Sequence, residues 1–170
     1  MKVLQYFLKD NGCFPNSPLP VLLYKKAMKL PLLFKGNTIK RLFEQHHWTN
    51  NWRSGVYTFH HYHSNTHEVM AVIKGETKLQ LGGENGTTVT LEKGDVIIIP
   101  AGVAHKNLQR EKDVICIGGY PRGKDYDMNY GKKEERPAAD ERISKVPVPG
   151  LDPVTGKKEP MNMIWKKNAT

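Results

Sequence analysis

Six short apolar or alternating runs, each closed by turn-forming residues, fill the middle of this chain of 170 residues. They are GVYTFHHYH, HEVMAVI, TKLQL, TTVTL, DVIII and DVICIGG, separated by SNT, KGE, GGENG, EKG and PAG. A strand needs only about five or six residues, and Gly, Asn and Pro supply the backbone angles that reverse a chain. Short strands at near-regular spacing predict an all-β sandwich or barrel over residues 55–120. The run HEVMAVI is apolar on both faces, so its outer face needs a cover, either the N-terminal arm or a second subunit.

The flanks differ in texture. VLQYFL predicts a strand, FPNSPLP an extended turn, and LPVLLY a second apolar stretch. Asn37 or Thr38 is expected to cap a short helix carrying Ile39, Leu42, Phe43 and His46, ending near Asn50-Asn51. Residues 121–170 are rich in charge and proline, which suits a disordered tail. Met161, Ile164 and Trp165 instead favour an arm docked on a barrel, its own or a partner's. With no internal repeat, one domain is expected, with an N-terminal arm at 1–54, a barrel at 55–120 and a C-terminal arm at 121–170.

Charge narrows the classes of partner. The net charge is +9, and the three regions carry +7, −1 and +3. The excess is scattered in pairs such as Lys25-Lys26 and builds no basic, aromatic-studded stripe, so no nucleic-acid partner is expected. No run of about 18 apolar residues exists to cross a bilayer. MKVLQYFLKD acquires charge too early to read as a secretion signal. The two cysteines, Cys13 and Cys116, have no C-x-x-C partner, and a reducing cytoplasm fits them best.

Four of the seven histidines fall within FHHYHSNTH. On a strand, His61 and His63 share a face with Tyr57 and Phe59, while His60 and Tyr62 face away. Same-face residues stand roughly 6–7 Å apart along a strand, close enough for two imidazoles to tilt toward one ion. After the SNT turn, Glu68 can face inward with Met70 and Val72, leaving His67 outside. Around this pair stands a frame of fixed spacing. Gly55, His61, His63, Glu68 and Gly75 form G-x5-H-x-H-x4-E-x6-G, and Gly94, Pro100, Gly102 and His105 form G-x5-P-x-G-x2-H.

Those two segments resemble the paired motifs of the cupin family, matching nine of their ten fixed residues at the family's spacing. The tenth departs: the family's asparagine falls where this chain has Gln109, and Asn107 stands two residues earlier. The flanks YFLKDNGCFPNSPLPVLLY, PRGKDYDMN and VPGLDPVTG are similar to small bacterial single-domain cupins of the YjlB-like group. The resemblance implies a double-stranded β-helix, the cupin jelly-roll barrel, with an N-terminal strand and short-helix extension and a C-terminal arm. It implies His61, His63, Glu68 and His105 as ligands of one divalent transition metal ion, and it implies a homodimer. Three imidazoles and one carboxylate form a mixed nitrogen and oxygen donor set that admits Fe, Mn, Ni, Zn or Cu and leaves positions open for a ligand.

The expected partner is therefore a small molecule. Tyr57, Phe59, Met70 and Val72 are expected to wall its pocket, with Arg53 at the mouth to hold an anionic group. Tyr57 is the candidate for proton transfer. Asp95, next to Gly94, is expected to stabilise a turn. Three readings stay open: a metalloenzyme acting on a small polar metabolite by oxygenase, decarboxylase or isomerase chemistry, a metal-dependent binding or sensing protein, and a structural metal site.

Overall fold

A computed structural model describes residues 1–29, 35–157 and 159–168. Eight antiparallel strands form the fold, in the order β1 (Lys2–Leu8), β2 (Ser17–Lys25), β6 (Val96–Ile99), β4 (Glu68–Leu81), β8 (Val114–Pro121) and β3 (Trp48–Ser54). The remaining two, β5 (Thr87–Glu92) and β7 (His105–Asn107), pair with β4 away from this path. The strand β4 belongs to both layers. Its first half, Glu68–Ala71, pairs with β6, and Val69–Gly75 pairs with β8. Its second half turns to β5 and β7. This is the jelly-roll architecture that the resemblance implies, within the all-β class that the strand spacing predicts.

The period of two sorts the side chains. Met70 and Val72 face inward with Leu79, Leu81, Ile97, Ile99, Val114 and Cys116. Val69, Ala71 and Ile73 face outward, where they meet a second apolar layer. That layer comes from the same chain: Ile39 and Phe43 of α1 (Lys35–Gln45), Trp48 of β3, and Met161 and Trp165 of α3 (Met161–Asn168). Both tryptophans are fully buried, and the indole N–H of Trp165 donates to the Pro20 carbonyl at 2.9 Å. The arm therefore docks on its own sheet, and the outer face of β4 is covered without a second subunit.

Two expectations about the N-terminal region need correcting. The described part of the helix, Lys35–Gln45, already contains Asn37 and Thr38, and it ends short of Asn50-Asn51. His47 then takes a positive φ of 63°, turning the chain into β3, which pairs with β8 from Trp48↔Pro121 to Ser54↔Cys116. The pairing partner lies some seventy residues away, so local spacing carried no sign of it. The segment from Gly55 to His67 also forms no continuous strand. The bridges His61↔His105 and Tyr62↔Asn129, with single backbone bonds at the Tyr57 and His63 carbonyls, tie it down.

Turn residues act as their types require. Gly75, Gly94 and Gly102 have φ of 75°, 93° and 91°, angles that cost other residues strain. The buried Asp95 carboxylate accepts the backbone N–H groups of Lys26 and Glu92, at 2.8 and 2.9 Å, and the Lys25 ammonium. It holds a turn together and sits away from the cavity.

Candidate metal centre

Three chain segments converge at one end of the barrel. His61 and His63 lie on the bridged segment, Glu68 opens β4, and His105 opens β7. Backbone bonds lock the first and last together: His61 N–H donates to the His105 carbonyl at 3.2 Å, and His105 N–H returns to the His61 carbonyl at 3.0 Å. Gly102 N–H donates to the His63 carbonyl at 2.8 Å. A Cβ at Gly102 would meet the Asn16 carbonyl oxygen at 2.2 Å, so only glycine lets the Pro100-Ala101-Gly102 turn bring His105 back to the histidine pair.

His61, His63 and His105 bring one ligating atom each within 4.8 Å of one another, and all three are buried. The orientation of each ring is set from behind. The Nδ1 atoms stand 3.2 Å from the Phe59 carbonyl for His61, 2.6 Å from that of Asp127 for His63, and 3.1 Å from that of Val103 for His105. A carbonyl can only accept, so each Nδ1 carries the hydrogen and each Nε2 is left with its lone pair. Glu68 Oε2 lies 3.4 Å from Nε2 of both His63 and His105. Its other oxygen, Oε1, accepts the Tyr120 hydroxyl at 3.0 Å, and Tyr120 in turn accepts the Trp52 indole N–H at 3.0 Å.

One atom in this arrangement is unpaid for. Glu68 Oε2 is buried and has no hydrogen-bond partner, which costs stability unless something charged completes it. Two donors each about 2.1 Å from one ion stand roughly 3.0 Å apart at right angles and roughly 3.4 Å at the tetrahedral angle. The spacing of Glu68 to its two imidazoles falls at that value. The residues fit a divalent cation, and the trio His61, His63 and His105 could hold one.

The electrostatics have the same cause. Burial, then the neighbouring His105, hold His61 down to about 3, so its ring is neutral. Burial also works against the imidazolium of His63, but the charge of the Glu68 carboxylate 3.4 Å away outweighs burial and raises its pKa. Burial alone would raise Glu68, yet His63 and then His105 hold it well below the usual carboxylate range. Burial, followed by the Glu68 charge, raises the Tyr120 phenol and pushes the Cys116 thiol up to about 12. Cys116 is thus an inert, buried free thiol, and Cys13 is free and exposed.

A cavity of about 120 Å³ opens over the four side chains, lined also by Trp52, Val56, Tyr57, Met70, Tyr120 and Tyr126. Tyr57 and Met70 stand where the sequence placed them, on its wall. Three other expectations do not hold. Phe59 is 45% exposed and stacks on Tyr57 at 4.9 Å outside the cavity, because residues 55–60 are not a strand and do not alternate into the interior. Val72 lies deeper in the core, one turn of the pleat beyond Met70. Arg53 is exposed and does not line the cavity, because β3 aims Trp52 inward and Arg53 out.

Two neighbouring histidines stand outside this cavity. His67 is buried behind Glu68, accepts the Ala101 N–H at 3.0 Å and packs on Trp165 at 4.7 Å. Burial holds it neutral, at about 4. His60 packs on Phe14 at 5.4 Å. Sequence reasoning missed Tyr120, Tyr126 and Asp127. Tyr120 was within reach of it, since Cys116, Gly118 and Tyr120 alternate onto one face of β8.

Comparison with known proteins places this geometry. Residues 53–116 match the family described as Cupin domain. A Bacillus subtilis (strain 168) protein, YjlB, is 42% identical over 163 residues, covering 95% of this chain and 96% of that protein. The chain belongs to the cupin family. Among solved structures, this cupin is similar to an acireductone dioxygenase from Bacillus anthracis with a cadmium ion in its active centre. There the identity is 16%, the TM-score 0.41, and the match covers 55% of this chain and 63% of that one. A DUF861 family protein from Thermotoga maritima is 24% identical with a TM-score of 0.35, over 59% of this cupin and 96% of that chain. Pumpkin seed globulin is 21% identical with a TM-score of 0.39, over 47% of this cupin and 22% of the globulin.

Proposed function

We propose that this cupin holds one divalent transition metal ion on His61, His63, Glu68 and His105, and that the ion's open positions bind and transform a small polar metabolite. The observation that carries the proposal is the buried, unpartnered Oε2 of Glu68, set 3.4 Å from two imidazole nitrogens whose far sides are tied to carbonyls. The donor set suits Fe, Mn, Ni, Zn or Cu. When bound, such an ion polarises an oxygen of the ligand as a Lewis acid or supplies redox chemistry.

The chain's own residues then define what enters. Among the described residues no Lys or Arg lines the cavity, and Trp52, Tyr57, Tyr120 and Tyr126 provide aromatic wall. Such walls favour a neutral or weakly acidic molecule with a flat apolar part over a polyphosphate or polycarboxylate. Tyr57, with its ring edge-on to His61 at 5.3 Å, is the residue placed to move a proton at the ligand. Tyr120 is committed to Glu68 and keeps that carboxylate oriented.

Elemental analysis of protein purified without added metal, followed by a screen of small oxygenated metabolites in that metal, tests the reading. Stoichiometric metal that disappears in His61→Ala, together with turnover that returns only with one ion, is the expected outcome. Protein that takes up none of the five ions overturns it. A second reading, metal-dependent ligand binding without turnover, draws on one feature. Apart from Glu68, no carboxylate, lysine or cysteine lines the cavity to act as a base. Saturable binding of a screened compound that emerges unchanged favours that reading.

The proposal treats the arms at 1–54 and 121–170 as parts of one domain with 55–120, in a reducing cytoplasm that keeps both thiols free. It takes the working form as a homodimer, on family resemblance. Since the outer face of β4 is covered within the chain, the pairing would use another surface, such as the free edge of β1 or β3. Light scattering on the eluted protein measures this directly.

A further inference from the structure

A second, larger cleft of about 660 Å³ lies between the end of β8, the start of β3, α2 (Ala138–Ser144) and residues 145–151. It shares no lining residue with the metal cavity. Its charged lining is cationic: Arg122, Lys124, Arg142 and Lys145 contribute to it, and among the described residues no carboxylate does. The nearest acidic groups are engaged elsewhere. Asp127 accepts from Ser64 and faces Arg142 at 3.3 Å, and Asp125 accepts from Asn50 at 3.3 Å. Among the described residues, Arg122, Lys124 and Lys145 are exposed and have no carboxylate within 4.0 Å. Three like charges thus face one concavity without compensation, an arrangement that raises the local potential for anions.

The floor supplies a donor. His67 reaches the cleft from beneath and is buried. Its Nδ1 accepts the Ala101 N–H at 3.0 Å, so the ring hydrogen sits on Nε2. That Nε2–H is buried and meets no acceptor at good hydrogen-bond geometry, with only the Pro147 carbonyl beside the ring. A buried donor so poorly served is unusual in a folded protein and leaves room for a better partner. The backbone around the cleft is also held firmly. Arg122 and His47 both take positive φ, 54° and 63°, and Arg122 N–H donates to the His47 carbonyl at 2.7 Å. Val146, Val148 and Leu151 add apolar wall.

We propose that this cleft is a second ligand site, separate from the metal centre, for a small organic anion. Its phosphate or carboxylate head would rest on Arg122, Lys124 and Lys145 and accept the His67 Nε2–H, and its apolar body would lie on Val146, Val148 and Leu151. Guanidinium and ammonium groups recognise either head through charge-assisted hydrogen bonds. The site does not depend on the metal reading.

Calorimetric titration of the full chain with phenyl phosphate, benzoate and inorganic phosphate tests this, with the His67 ring nitrogens followed by NMR. Phenyl phosphate or benzoate is expected to bind saturably and shift the His67 Nε2 signal, and the tighter of the two identifies the head group. Inorganic phosphate should bind more weakly, and equal affinity removes the apolar part from the proposal. The double variant Arg122→Gln/Lys145→Gln should lose about tenfold or more in affinity, while Lys78→Gln/Lys112→Gln, equally exposed but outside the cleft, should not. If the double variant fails to fold, Lys145→Gln alone must still weaken binding more than the control pair. Binding should persist after chelation of any metal. Absence of saturable binding, an unmoved His67 signal, equal loss in the control pair, or binding abolished by the chelator each overturns the proposal.

Discussion

The indole of Trp52 lies directly on Gly118: a Cβ at that glycine would fall 2.0 to 2.4 Å from three atoms of the ring. The contact joins β3 to β8 and sets a relay in which Trp52 holds Tyr120 and Tyr120 holds Glu68. Gly118→Ala therefore acts on the metal centre from beneath. It should displace the indole, cost about 1–3 kcal/mol by overpacking, and weaken metal binding about tenfold or more. Competition with a chromophoric chelator reads the second effect. Unchanged affinity with a lowered stability would show that the relay ends at packing.

Tyr120→Phe removes one link with little change of volume. It leaves both oxygens of a buried carboxylate unpartnered and the Trp52 N–H without its acceptor. The expected loss of metal affinity is about 10–100-fold. Tyr57→Phe is the matched contrast, since Tyr57 holds none of the ligands. It should leave metal content intact and, once a substrate is in hand, reduce turnover by about 100-fold.

The response to pH follows from two shifts of opposite sense. In the metal-free protein, His63 titrates above its ordinary 6.5, because Glu68 outweighs burial. Its contribution to stability is complete below 6.5 and is lost as pH rises through the raised value. Glu68 titrates below its ordinary 4.5, so its contribution is present above 4.5 and is lost as pH falls through the depressed value. Below about 7 the neutral rings of His61 and His67, held by burial at about 3 and about 4, act in the opposite sense, so metal-free protein should lose melting temperature as pH is raised from about 7 toward 8. The metal-loaded protein needs a deprotonated His63, so the melting-temperature increment given by the metal should grow over the same range. Differential scanning calorimetry with and without a chelator measures it, and an increment independent of pH contradicts the assignment.

The second apolar layer carries a separate prediction. Trp165 and Phe43 are fully buried against the outer face of β4. Trp165→Ala or Phe43→Ala should cost about 3–5 kcal/mol, read as a lower urea midpoint. Met163, on the exposed side of α3, should tolerate alanine with a change within about 0.5 kcal/mol.

What could be read from the sequence divides by range. The strands of the barrel were legible because alternation and turn chemistry are local. The histidine frame was legible because its spacing is fixed by two tight turns, at Gly75 and Gly102. His61 and His63 do point one way while Tyr62 points the other, even though no strand holds them. Phe59 broke the same pattern, because alternation persists only where backbone bonds tether the chain, and those are made at Tyr57, His61, Tyr62 and His63 but not at Phe59. β3 was hidden because its strand character comes from β8, and the relay through Tyr120 joins residues more than fifty apart in sequence. The helix start was misplaced because Asn37 and Thr38 make good caps in isolation, while both lie inside the helix.

The sharing of β4 between the two layers has a mechanical consequence. One continuous strand of 14 residues carries Glu68 at its first position and the partner of His105, Leu81, at its last. Neither layer can open without stripping hydrogen bonds from the same backbone, so the barrel should lose its structure in one cooperative step. Leu81 holds His105, whose Nε2 stands 3.4 Å from the Glu68 Oε2, so the two ends of this strand are brought together at the metal centre. Any event that frays either end changes that distance.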